Sequence, residues 1–313
     1  MKIRLLPIML ALLLSAVGAP ARAGAEEAMQ CDRATYTDWK GKQRLLRFCS
    51  KGPLQPGRHY RMILRLHGGS GAPSDALNGA DECYRYLRSY PWMDNRPELE
   101  DLVFVCPQGT PTRLNYRTFG SPEAIDDYAR IPKWFTRFAE REFGAIVDPE
   151  GLIAFGACTG GTDVALLVAR HPGLVDVALI ADAPMDWRWY IRQNRRSSDA
   201  RARFFKTETR GVAGRRLARE PFGRKNLRAL LRTRTRFVVY YTTRDPGSHL
   251  RQSGRLVRLL PPSRVRWCEG RWPHGGAGQR HLDAIFSDAG IILIDPVSVI
   301  GRENGITCGG STF

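Results

Sequence analysis

The chain has 313 residues, 43% of them hydrophobic and 25% charged, with a net charge of +17. That balance excludes a wholly disordered chain and suits one large domain with a substantial core, or two smaller ones. No zinc-like Cys/His spacing, phosphate loop or dinucleotide fingerprint occurs, so no cofactor or metal is expected.

The first residues read as a signal peptide, 1–23. Lys2 and Arg4 make a basic start, residues 8–17 are apolar around Leu12, Leu13 and Leu14, and Ala21-Arg22-Ala23 is a small-x-small cleavage site. The apolar run is short for a membrane span, which needs about 20 residues. The expected mature chain, 24–313, is a single domain in the periplasm or outside the cell. An uncleaved anchor is the alternative.

Residues 24–30 read as a loose tail, and 36–39 and 45–49 as two early strands. Residues 60–66 form a strand candidate that runs into His67-Gly68-Gly69. Residues 75–88 carry helical spacing. Residues 102–106 are a short apolar strand, and 107–122, rich in Gly, Pro and Thr, a loop. A helix is predicted over 124–143, with Trp134, Phe135 and Phe138 on one side. Strand 152–155 leads through a glycine-rich turn to helix 162–170, stopped by Pro172 and Gly173. Strands follow at 175–180, 237–241 and 265–268, then a helix at 279–287 and a glycine-containing tail. Short apolar strands alternating with helices predict an α/β fold: a mostly parallel central sheet with helices on both faces.

Export would place the seven cysteines where disulfides persist. The expected pairs are Cys31 with Cys49, Cys83 with Cys106, and Cys268 with Cys308, leaving Cys158 over. The alternative is that some of the six are buried thiols.

Cys158 stands in the sharpest motif, Gly156-Ala157-Cys158-Thr159-Gly160-Gly161, between a predicted strand and a predicted helix. That context is what a nucleophile elbow requires: small neighbours let strand and helix approach, and the tight turn exposes the central side chain. The helix amino terminus behind it favours a thiolate. An inert cysteine in a glycine-rich turn is the competing reading. His67-Gly68-Gly69, after an earlier strand, suits an oxyanion loop; the candidate donors are the amides of Gly69 or Ser70, with that of Thr159. Asp245, just after strand 237–241, is the candidate acid, with Asp182 and Asp186 as rivals. His274, in Trp272-Pro273-His274-Gly275-Gly276 after the last strand, is the candidate base. His281 is its rival, and His249 a weaker one.

The order Cys158, Asp245, His274 is that of the α/β-hydrolase superfamily, which residues 55–290 resemble. The Gly-x-Cys-x-Gly-Gly elbow resembles dienelactone hydrolases, which use a Cys-His-Asp triad. The export signal, the cysteines and residues 127–183 are similar to secreted polyhydroxybutyrate-depolymerase and feruloyl-esterase types; those carry serine at the elbow, so cysteine is a departure here. The resemblance implies an exported ester or lactone hydrolase working through an acyl-enzyme. A peptidase or amidase on the same fold, or a silent scaffold that binds a ligand or an envelope partner, are the rivals.

Charge is uneven. Losing Lys2, Arg4 and Arg22 leaves +14, and residues 188–236 alone hold seventeen Lys/Arg against Asp199, Glu208 and Glu220, again +14. This segment reads as a basic cap, with Phe222, Leu227, Leu230 and Leu231 among its apolar residues. It would attract an anionic ester substrate, small or polymeric, or rest against an anionic envelope surface. A solvated arginine-rich face is the alternative. Nucleic acid is not an expected partner, because no recognition motif accompanies the charge.

Overall fold

The computed structural model describes residues 29–68, 97–108, 122–185, 222–243, 249–271 and 306–311. Its strands are β1 (Met29–Thr37), β2 (Gln43–Lys51), β3 (His59–Leu66), β4 (Leu102–Pro107), β5 (Ile146–Ala157), β6 (Val177–Ala181), β7 (Arg236–Thr242), β8 (Val265–Gly270) and β9 (Thr307–Gly310). The helices are α1 (Pro122–Phe143), α2 (Thr159–Arg170), α3 (Arg224–Arg232) and α4 (His249–Leu259).

The strands form one sheet in the order β1-β2-β4-β3-β5-β6-β7-β8-β9. From β4 through β8 every neighbouring pair is parallel; β1, β2 and β9 join antiparallel at the edges. The central strands are continuous apolar runs because both faces are buried. On one face Leu64, Ala154, Ile180 and Val239 meet Phe135 of α1, Leu167 of α2, Leu230 of α3 and Leu256 of α4. On the other, Ile63, Phe104, Ile153, Leu179 and Val238 form a second buried cluster. The helices expected at 75–88 and 279–287 lie outside the described residues.

The tail expected over 24–30 gives way to strand at Met29 and Gln30, and residues 24–28 lie outside the described residues. Strand β1 starts at Met29 and ends at Thr37, and Asp38 closes the turn to β2, accepting from the amides of Lys40 and Lys42 and from Arg44 Nε. Residues 36–39 alone were the expected strand; Asp38 and Trp39 belong to the turn because the Asp38 side chain takes over the donors that a longer ladder would use. Phe48 of β2 packs on Phe135, Phe138 and Phe143 with ring centroids 5.3–5.7 Å apart, which seats α1 on this edge.

Disulfides staple both edge strands. Cys31 and Cys49 lie directly opposite each other on β1 and β2, and Cys268 and Cys308 do so on β8 and β9. Cys106 is also disulfide-bonded, and its expected partner Cys83 lies outside the described residues. Cys158 is in no disulfide. The described end of the basic segment, from Phe222, forms α3 against α2 and then enters β7.

Candidate active site

The site begins at the carboxyl end of β5. Cys158 sits between β5 and α2 with φ 52° and ψ −127°, a backbone region that L-residues seldom occupy. Its amide donates to Ala181 O of β6 at 2.9 Å, and its carbonyl accepts from Gly161 N at 3.0 Å. These two bonds hold the turn in its strained shape. The side chain is partly exposed, whereas nearly all of α2 behind it is buried.

The glycines around Cys158 are steric requirements. A Cβ on Gly156 would stand 2.3 Å from the Gly160 carbonyl group, and one on Gly160 would stand 2.1 Å from Leu66 O at the end of β3. Strand, turn and helix therefore approach to a distance only glycine permits. Helix α2 accordingly starts at Thr159, three residues before the predicted start at 162. The same close approach brings the β3 exit to the elbow: a Cβ on Gly68 would lie 3.5 Å from Cys158 Cβ and 3.3 Å from Ala157 O.

Of the predicted site residues, Cys158 and Thr159 are thus adjoined by Gly68, the first glycine of the expected oxyanion loop. Gly69, Ser70, Asp245 and His274 lie outside the described residues, as do the rivals Asp186 and His281. Thr159 is 4% exposed, and its hydroxyl, beside the elbow, has no hydrogen-bond partner among the described residues.

The rival Asp182 is placed. It is fully buried at the end of β6 with φ 47°, its amide donates to Tyr240 O at 2.9 Å, and its Oδ1 accepts from Thr242 N at 2.8 Å. It laces the exits of β6 and β7 together. Thr243 continues the lacing, its amide donating to Gly270 O of β8 at 2.6 Å. With the Cys158–Ala181 bond, these contacts run laterally from β5 to β8 along one carboxyl edge. His249, the weaker rival to His274, opens α4.

Sequence reasoning missed two supports of this edge. His67 is buried, with Nδ1 2.7 Å from Gly68 O and Nε2 2.9 Å from Gln108 O. Both facing atoms are acceptors, so a neutral ring donates to one of them and an imidazolium to both. The ring joins the β3 exit to the end of β4. The second support is residues 183–185, where Ser253 Oγ pairs with Ala183 N and O, Gln252 Oε1 accepts from Met185 N at 2.5 Å, and Thr162 Oγ1 donates to Pro184 O. The signal available for it was the apolar run through Ala181 and Ala183 with polar side chains at Thr162, Gln252 and Ser253; helix α4, which supplies two of them, is hidden by its arginines and Gly254.

No protein-family model and no curated protein sequence matches the chain. Solved structures do. A fungal esterase from Rhizomucor miehei superposes with a TM-score of 0.52 at 13% identity, covering 79% of this chain and 76% of its own. S-formylglutathione hydrolase from Staphylococcus aureus gives 0.53 at 13% identity, over 83% of this chain and 98% of its own. An acylaminoacyl peptidase from Pyrococcus horikoshii gives 0.52 at 12% identity, over 79% of this chain but 38% of its own. Strand order, an elbow after β5 and these superpositions agree: the chain has the α/β-hydrolase fold.

Proposed function

We propose that this protein is an exported hydrolase that cleaves a carboxylic ester or lactone through Cys158, His274 and Asp245. The observation that carries the reading is the backbone of Cys158: a thiol outside any disulfide, at φ 52° on the turn from β5 to α2. Strain at a non-glycine residue, held by surrounding hydrogen bonds, is a common mark of a reacting group.

Asp245 follows the end of β7 by three residues, and His274 follows the end of β8 by four. Strands β7 and β8 end at the carboxyl edge from which the elbow projects. In the proposed reaction His274 takes the Cys158 proton, with Asp245 orienting the ring. The thiolate attacks the carbonyl carbon, and the oxyanion is received by the amides of Thr159 and of Gly69 or Ser70. The tetrahedral adduct collapses, His274 returns the proton to the leaving alkoxide, and a thioester remains on Cys158. Water, deprotonated by His274, then releases the acid and restores the thiol.

Esters rather than peptides are favoured by extent. The chain spans most of the esterase and nearly all of the S-formylglutathione hydrolase, but under half of the peptidase. The basicity of residues 188–236 supports an anionic ester as substrate and peripheral contact with an anionic envelope surface. Neutralising arginines of residues 188–221 should then lower turnover of anionic esters more than of neutral ones; equal effects would count against the anionic preference.

The decisive variants are Cys158→Ala, which should abolish turnover of aryl esters, and His274→Ala, which should reduce it by about 10²–10⁴-fold. His281→Ala should retain most of it. Loss in His281→Ala with activity kept in His274→Ala would reverse the assignment.

A further inference from the structure

Helix α3 carries Arg224, Lys225, Arg228 and Arg232, all exposed, and residues 224–236 contain no carboxylate. At 3.6 residues per turn these four side chains fall within roughly 100° of the helix surface. Asn226 and Leu230 are buried on the opposite side. Like charges one turn apart destabilise a helix, and nothing in α3 offsets them. Arg264 donates to Leu231 O at 2.6 Å, so even the negative end of the helix dipole is covered by a cation.

The four cations border a groove of about 580 Å³ whose floor includes Pro172 and Ala229. Among the described residues, no carboxylate lines it. Asp126, which meets the same turn, is engaged by His171 at 2.9 Å and by Arg170 at 3.5 Å. The groove is firmly built: Thr233 Oγ1 pairs with Thr235 Oγ1, Thr235 Oγ1 donates to Val175 O at 2.6 Å, and Arg236 N donates to Asp176 O at 2.8 Å.

Its place in the molecule matters. Helix α2 runs 12 residues from Thr159 to Arg170, roughly 18 Å at 1.5 Å per residue, and the groove lies past its carboxyl end. Cys158 stands at the other end. A surface held by the groove leaves the elbow edge facing away.

We propose that the α3 face is the membrane-docking surface of this protein, taking the phosphate groups of anionic phospholipids. This deepens the reading of contact with an anionic envelope surface and rests on it; it is independent of the hydrolase chemistry. Arginine and lysine bind phosphate through charge-assisted hydrogen bonds. Leu231, 38% exposed beside Arg232, adds an apolar edge that can enter the headgroup layer. A single-stranded nucleic acid would instead want aromatic side chains on which bases stack, and among the described residues none lines the groove.

The test is co-sedimentation of the full chain with phosphatidylcholine vesicles, with and without phosphatidylglycerol. Three variants accompany the wild type: R224Q/K225Q/R228Q/R232Q on α3, its charge-retaining counterpart R224K/R228K/R232K, and R130Q/K133Q/R137Q/R141Q on α1. The α1 set removes four exposed cations from a different helix. Each cation near an anionic surface contributes about fivefold in binding. The wild type should bind only the phosphatidylglycerol vesicles, and the α3 glutamine variant should bind on the order of a hundredfold more weakly. The lysine and α1 variants should stay within a few-fold of wild type. Equal losses in the α1 and α3 glutamine variants would show that net charge alone acts and overturn the proposal. So would full binding by the α3 glutamine variant, which leaves surface contact standing but moves it elsewhere. A wild type indifferent to phosphatidylglycerol would overturn the contact reading itself, and tighter binding to single-stranded DNA at equal phosphate would reassign the face.

Discussion

Cys158 bears a backbone strain that glycine would not. Its φ of 52° costs a non-glycine residue roughly 1–3 kcal/mol, and its side chain is only partly buried, so little packing offsets that cost. Cys158→Gly should therefore raise stability by about 1 kcal/mol in urea denaturation while abolishing ester turnover. A stability loss of similar size would mean that the thiol is a packing residue. Gly160 behaves in the opposite way. Gly160→Ala places a Cβ against backbone at 2.1 Å, so the β3 exit or α2 must move, at a cost of about 3 kcal/mol or more. The Thr159 hydroxyl is buried without a partner among the described residues, and an unsatisfied group of this kind costs about 1–3 kcal/mol. Thr159→Val should consequently leave stability unchanged or improved; a marked loss would reveal a partner for the hydroxyl in solution.

At the scale of elements, legibility followed apolar continuity. Strands β3, β4, β7 and β8 were readable because central parallel strands are runs of buried side chains. Strand β5 was read only at 152–155 because Pro149 and Gly151 interrupt its first half; that half nonetheless pairs with β3, with a register shift between Arg61 and Ile63. Strand β9, Thr307-Cys-Gly-Gly, is short and weakened as a strand by its two glycines, and was read as tail. It is held by the Cys268–Cys308 disulfide and the β8 ladder. Replacing that cysteine pair by alanines should lower stability by about 2–4 kcal/mol, read from a urea midpoint shift. An unshifted midpoint would mean that the ladder alone retains β9.

The β1–β2 hairpin has a pH signature of its own. Burial opposes the charge of Asp38, but the Lys42 amide and Arg44 outweigh it and hold the carboxyl below its ordinary 3.8. A carboxyl lowered on folding stabilises fully above its unfolded pKa. That stabilisation fades as pH falls through the lowered folded value, so Asp38→Asn should narrow the stability difference between pH 7 and pH 3. An unchanged difference would show that Asp38 contributes nothing to acid sensitivity.

Across the whole molecule, the proposed nucleophile Cys158 and the cationic face of α3 stand at opposite ends of α2. The elbow between β5 and α2 was legible from its glycines and its place between a strand and a helix, whereas Asp245 and His274 lie outside the described residues. Only the fold shows that the exits of β5, β6, β7 and β8 are laced into a single rim, with Asp182 as a buried tie between β6 and β7. The second feature was visible as composition but not as place. Seventeen cations in 188–236 were legible as a basic segment, while the packing of α3 against α2, far from Cys158, depends on where Leu230 finds its core.

The central claim is that Cys158 is a nucleophile activated by His274. The direct measurement is the rate of alkylation of Cys158 by iodoacetamide across pH, followed by peptide mapping in the wild type and in His274→Ala. An ordinary thiol titrates near pH 8.5, and an activated one about 1–5 pH units lower. Wild-type Cys158 should react selectively with a midpoint well below 8, and His274→Ala should return that midpoint toward the ordinary value. A wild-type midpoint at or above 8.5, unmoved by the histidine replacement, would contradict the account and leave the elbow as a scaffold feature.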